Sequence, residues 1–138
     1  MNKSVLIIDD EWFFIEPLAL FLKKNGFDIQ TAADGFEGLN KIRERLPDII
    51  ILDIMLPNCS GLQICNLIKQ DIKYRQMPII IVTAKEGEKD KSHAFDSGAD
   101  YFVPKPVDYD KLLEIINEVF NNSIIEEQDG PLLKTTIV

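Results

Sequence analysis

Ile49-Ile50-Ile51-Leu52-Asp53 is four consecutive apolar residues closed by an acid. A strand with one face in water alternates apolar and polar residues. This one does not, so both of its faces are covered. The same form recurs in Val5-Leu6-Ile7-Ile8 before Asp9-Asp10-Glu11 and in Ile79-Ile80-Ile81-Val82 before Thr83-Ala84. It returns, shorter, in Tyr101-Phe102-Val103 before Pro104-Lys105-Pro106. A fifth and weaker strand, Asp28-Ile29-Gln30-Thr31-Ala32, alternates.

Helical patterns fill the intervals. Phe14, Leu18, Phe21 and Leu22 share one helical face, which Asn25-Gly26 terminates. Phe36, Leu39, Ile42 and Leu46 form a second stripe, stopped before Pro47, and Leu62, Cys65 and Ile68 a third. Leu112, Ile115, Ile116 and Val119 form the last, with Asp108 as its N-cap. Between Glu86 and Ser97 only Ala94 and Phe95 are available to bury, so the fourth helix should be weakly held. Alternating strands and helices with right-handed crossovers predict an α/β fold. The arrangement expected is a flavodoxin-like, doubly wound, five-stranded parallel sheet of order 2-1-3-4-5 with five helices. The domain should span residues 1–120. Asn121-Asn122-Ser123 reads as a loop opening a tail, residues 121–138, that is either a docking segment or the stub of a linker.

Composition narrows the function. The 138 residues are 46% apolar and carry a formal net charge of -8. That suits one domain with an ordinary core and argues against a nucleic-acid surface, while favouring a cation or a basic partner. No apolar run approaches the ~20 residues that cross a bilayer, and the first residues do not read as a secretion signal. A cytoplasmic protein is expected. Cys59 and Cys65 lack C-x-x-C spacing and are read as reduced thiols. His93, the only histidine, lies in a polar stretch and reads as a surface residue.

In open α/β sheets the carboxyl ends of the strands bear the ligand site. The expected strand order brings Asp9, Asp10, Asp53, Thr83 and Lys105 to one crevice there. Three carboxylates at close range repel one another, and a hard divalent cation removes the conflict. The set also suits a phosphoryl group: Asp53 as nucleophile, Asp10 and Asp53 with Asp9 around the metal, Thr83 and Lys105 on the phosphoryl oxygens. Ala84 is small and leaves an approach open. Lys105 can pair with Asp53 when the site is empty.

From Ser4 to Phe120 the chain resembles the receiver domains of two-component response regulators. The likeness rests on Val5-Leu6-Ile7-Ile8-Asp9-Asp10-Glu11, on Ile51-Leu52-Asp53-Ile54-Met55-Leu56-Pro57 with Ser60-Gly61, on Ile81-Val82-Thr83-Ala84, and on Gly98-Ala99-Asp100 leading to Lys105-Pro106. The resemblance implies that Asp53 takes a phosphoryl group from a sensor histidine kinase or a phosphotransfer protein. It implies Mg²⁺ (or Mn²⁺) on Asp10, Asp53 and the Met55 backbone carbonyl, with Asp9 acting through water. It implies that Thr83 swings toward the phosphoryl group, that Phe102 turns inward behind it, and that Lys105-Pro106 is cis. Met55 and Lys85 occupy the positions that tune phosphoryl lifetime, and both point to slow hydrolysis. The switched surface, residues 86–103 with the fifth helix, would bind a downstream protein, an output domain, or a second copy in a phosphorylation-dependent homodimer. The implied role is signalling, with catalysis confined to the domain's own phosphorylation and dephosphorylation.

Three rivals fit less well. A flavin-binding domain would find its phosphate repelled by Asp9-Asp10-Glu11. An aspartate-nucleophile phosphohydrolase would carry a second Asp where Met55 stands. A receiver-like scaffold that binds partners without being phosphorylated has no use for the full acid set.

Overall fold

A computed structural model describes residues 2–129, with side chains through residue 121. Ten elements alternate: β1 (Ser4–Ile8), α1 (Trp12–Lys24), β2 (Asp28–Ala32), α2 (Gly35–Glu44), β3 (Ile49–Leu52), α3 (Gly61–Gln70), β4 (Ile79–Thr83), α4 (Glu88–Asp96), β5 (Tyr101–Pro104) and α5 (Tyr109–Asp129). The strands are all parallel, in the order β2-β1-β3-β4-β5. This is the architecture expected from the apolar runs.

The unbroken runs feed two cores at once, because successive side chains leave a strand on opposite faces. Leu6, Ile8, Ile50, Leu52, Ile79, Ile81 and Phe102 face Ile42, Ile64, Ile68 and Ala94 of α2, α3 and α4. Val5, Ile7, Ile49, Ile51, Ile80, Val82, Tyr101 and Val103 face Leu18 and Leu22 of α1 and Leu112, Ile115, Ile116 and Val119 of α5. Tyr101 and Phe102 therefore serve opposite layers, as the strand period requires.

Two helices depart from the sequence reading. In α2, Phe36 and Leu46 are 58% and 57% exposed, and the helix ends at Glu44, short of Leu46. The face it buries is made by Gly35, Gly38 and Ile42. A Cβ on Gly38 would lie 2.5 Å from Ile8 Cδ1, and one on Gly35 2.5 Å from Ile64 Cδ1. Of the expected stripe Ile42 is buried and Leu39 packs against the core, and close backbone approach at the two glycines completes the seat. In α5, Asn121-Asn122-Ser123 continues the helix, which runs to Asp129. Neither Asn nor Ser breaks a helix as Gly or Pro does, and the next such residues are Gly130-Pro131. Those two lie outside the described residues, as do residues 132–138.

Local signals fix the other ends. Gly26 closes α1 at φ 93°, and Asp34 and Ser60 cap α2 and α3, the latter in a reciprocal capping box with Gln63. Asp108 Oδ1 accepts from the N–H groups of Asp110 and Lys111 at the start of α5. Helix α4 has Gly87 as its N-cap, which offers no side chain to cap it, and buries only Ala94 fully, with Phe95 half-buried.

The amino ends of the strands are pinned by a closed polar cluster. Lys69 Nζ donates to Asp100 Oδ2 at 3.0 Å and to the Met77 carbonyl at 2.6 Å. The same Asp100 oxygen accepts from the Ile79 N–H at 2.9 Å. At the margins of the sheet, β2 opens on Asp28, 3.5 Å from Arg45, and β5 closes on Pro104.

Candidate functional site

β1 and β3 finish level, with Ile8 beside Leu52, while β4 and β5 run two residues further: Leu52 lies beside Ile81, and Thr83 beside Pro104. The next residues emerge together. Asp9 N–H donates to the Ala32 carbonyl and Asp53 N–H to the Ile8 carbonyl, each at 3.0 Å, so both acids extend the sheet before the chain turns away. Their positions inherit the sheet's rigidity. Asp9, Asp53 and Thr83 are buried polar residues, 1%, 4% and 0% exposed, whereas Asp10 is exposed.

The loop after Asp53 is tightly built. Asp53 Oδ1 accepts from the Met55 N–H at 3.1 Å, and the Gly61 N–H donates to the Ile54 carbonyl at 2.9 Å. Asn58 takes the left-handed conformation at φ 69°. Gly61 lies so close to Asp53 that a Cβ there would stand 1.9 Å from the Asp53 carbonyl oxygen. No side chain fits that approach.

Carboxylate oxygens of Asp9, Asp10 and Asp53 lie within 4.8 Å of one another. Into this group projects Lys105, following β5 and joined to Pro106 by a cis peptide. Its ammonium meets Asp9 Oδ2 at 2.8 Å, Glu11 Oε1 at 2.7 Å and Asp53 Oδ2 at 3.1 Å, over the Phe14 ring at 4.2 Å. Burial pushes the Asp9 carboxyl up from its ordinary value, and hydrogen bonds from Lys105 and the Glu11 N–H only partly oppose it. For Lys105 burial acts to lower the pKa, but hydrogen bonds to Asp9 and Glu11, with the nearby negative charge, outweigh it. The ammonium is held charged well above the lysine range.

The structure thus brings Asp9, Asp10, Asp53 and Lys105 together. Thr83 is fully buried, and its Oγ1 accepts from the Lys85 N–H at 3.3 Å. The Met55 side chain (53% exposed), Ala84 and Lys85 stand exposed. Phe102 is already fully enclosed in the apolar layer with Ile81 and Ala94. An inward turn of this ring is therefore not available from the state seen here. A phenyl ring has no hydroxyl to keep it at the surface, and burial favours it. Glu11 and Phe14 are the two partners of Lys105 that sequence reasoning missed. The signal was present: Glu11 follows the two acids directly, and Phe14 lies one turn further on. Beside them opens a cleft of about 580 Å³, lined by Glu11, Phe13, Phe14, Ala84, Lys105 and Val107 among others. Trp12, 68% exposed, packs edge-on against Phe13.

The family model of the response regulator receiver domain matches residues 5–117. The chain belongs to this family. Over 106 residues it is 40% identical to the alkaline phosphatase synthesis transcriptional regulatory protein PhoP of Bacillus subtilis (strain 168), covering 77% of this chain and 43% of that protein. The receiver domain therefore spans less than half the length of that relative. Among solved structures, a response regulator from Chloroflexus aurantiacus J-10-fl superposes with a TM-score of 0.84 at 30% identity, covering 88% of this chain and 99% of that one. A CheY-like receiver domain protein from Methanospirillum hungatei JF-1 superposes at 0.85 with 28% identity, covering 91% and 99%. As a receiver, the chain is a signalling domain of the two-component type. Among the described residues no helix is long and apolar enough to cross a membrane.

Proposed function

We propose that this receiver accepts a phosphoryl group on Asp53 from a phosphohistidine of a sensor histidine kinase or phosphotransfer protein, with Mg²⁺ (or Mn²⁺). The observation that carries the reading is one ammonium among four carboxylates: Asp9, Glu11 and Asp53 contact Lys105, and oxygens of Asp9, Asp10 and Asp53 lie within 4.8 Å of one another. One lysine does not neutralise that crowd, and oxygen donors at this spacing suit a hard divalent cation. Asp10, Asp53 and the Met55 backbone carbonyl would hold the ion, with Asp9 acting through water. Bound there, it supplies positive charge to the phosphoryl oxygens.

The chain's own residues supply the rest. Asp53 is buried, with Oδ1 held by the Met55 N–H and Oδ2 by Lys105, so the carboxylate is oriented before it attacks phosphorus. The oxygen–phosphorus bond forms as the nitrogen–phosphorus bond breaks, and the imidazole leaves with the electron pair and takes up a proton. Lys105 and the Thr83 hydroxyl then take phosphoryl oxygens. Ala84 leaves the approach open, and Met55 and Lys85 at the rim slow the return attack of water.

The added charge, about -1.5 to -2, draws on Lys105 and Thr83 and biases the weakly held α4. With Phe102 already inside, movement of α4 and of the β4–α4 loop carries the change. The surface from residues 86 to 103 with α5 then meets a downstream protein, an output domain or a second copy. The setting is cytoplasmic, and this chain itself touches neither nucleic acid nor membrane. The packed domain spans residues 1–120, and α5 carries the chain on to residue 129 into the tail or linker stub of residues 121–138.

Incubation with Mg²⁺ and acetyl phosphate, followed by intact-mass measurement, tests the reading. Wild type should gain one hydroxylamine-labile phosphoryl group, and Asp53→Asn none. A wild type that stays unmodified, or a mutant modified equally, refutes it. Unchanged hydrogen exchange across residues 86–97 on adding beryllofluoride would refute the switch.

A further inference from the structure

Lys105 has three N–H donors and, in this structure, three carboxylate acceptors. Its donor capacity is full, and its remaining side is covered by the Phe14 ring. An incoming phosphoryl oxygen can be bound only if one acceptor lets go. The three are not equivalent. Asp9 and Asp53 are buried and stay in the pocket; Asp53 itself carries the incoming group, so once loaded it meets Lys105 through phosphoryl oxygens, and Asp9 and Glu11 are the acceptors left to compete. The Glu11 side chain is 40% exposed and stands at the cleft mouth, where water can solvate it on release. Yet its contact is the shortest of the three, at 2.7 Å.

We infer that Glu11 is a positioning residue that parks the Lys105 ammonium in the resting domain and yields it to the phosphoryl group. The inference rests on Asp53 phosphorylation as proposed above and adds to it a residue with an opposing role. In the resting state the Glu11–Lys105 pair is favourable. In the loaded state Lys105 turns to the phosphoryl oxygens, and the Glu11 carboxylate faces a like-charged group. Glu11 therefore favours the resting state twice, once by attraction and once by repulsion.

Neutralising Glu11 should then strengthen loading. Beryllofluoride binding is measured by calorimetry at saturating Mg²⁺ for wild type, Glu11→Gln and the control Glu16→Gln, an exposed acid further along α1. Glu11→Gln should bind roughly two- to fivefold more tightly, the range of a partly exposed charge pair. The gap should narrow as salt is raised, and Glu16→Gln should match wild type. Thermal melting gives a second readout. Without metal, Glu11→Gln should melt slightly below wild type, and with Mg²⁺ and beryllofluoride its upward shift should be the larger. Equal or weaker binding by a folded Glu11→Gln, beside a wild type that binds, overturns the role of Glu11 alone. A wild type that does not bind overturns the phosphorylation reading and this inference with it.

Discussion

Two lysines sit at opposite ends of the same sheet, and each is more than four-fifths buried. Lys69, at the amino ends, faces one carboxylate and backbone carbonyls. That cluster is balanced in charge, and its shared Asp100 oxygen also holds the backbone of β4. Lys105, at the carboxyl ends, faces three carboxylates, with a fourth, Asp10, close by. One end of the sheet is electrically closed, and the other carries surplus negative charge that folding alone does not require. The first kind of lysine holds a structure together. The second leaves the fold with a standing demand for positive charge, which is what a metal-assisted phosphoryl site needs.

The contrast can be broken in several ways. The largest effect should come from Gly61→Ala, which sets a methyl group against the Asp53 carbonyl and forces the β3–α3 loop aside. Urea unfolding should show a loss of about 3 kcal/mol, with phosphorylation impaired as well. Next comes the response to metal. Mg²⁺ at a hundred times its Kd should stabilise wild type by about 2.7 kcal/mol, and Asp53→Asn by much less. Equal gains would mean that the surplus charge is not a metal site.

At the closed end, Lys69→Met should cost about 2 kcal/mol, because it takes the ammonium away from Asp100 and the Met77 carbonyl, while leaving the Mg²⁺ response unchanged. The smallest effect should be opposite in sign. In chelator, Asp9→Asn should raise stability at neutral pH by less than about 1 kcal/mol. Because burial raises the Asp9 pKa in the folded chain, that chain holds the proton to higher pH than the unfolded one. Metal-free stability therefore falls as pH rises above 3.8 through the folded value, and the variant should lose that slope. An Asp9→Asn protein as pH-sensitive as wild type would place the strain elsewhere.

Much of this was legible in the chain. The four apolar runs carried four of the strand positions, and the polar residues that follow them (Asp9, Asp53, Thr83 and Lys105) carried the site, because parallel neighbours open their carboxyl ends on the same edge of the sheet. What the pattern could not carry was contact through absence. Gly35 and Gly38 seat α2 by having no side chain, while Phe36 supplies the apolar signal and faces water. The helix across Asn121-Asn122-Ser123 was missed because weak helix formers were read as a stop. Glu11 was visible as part of the acid triplet, but its hold on Lys105 depends on the angle at which α1 leaves the sheet, and no spacing rule gives that angle.

The two outermost strands have a bearing on how copies of the molecule can meet. Asp28 sets a charge at the beginning of one border, and Pro104, lacking an amide hydrogen, stands at the finish of the other. Both borders thus resist ribbon-to-ribbon extension into fibres or swapped sheets. Self-association built instead from the helical flanks can part reversibly, and a reversible signal needs an assembly that can come undone.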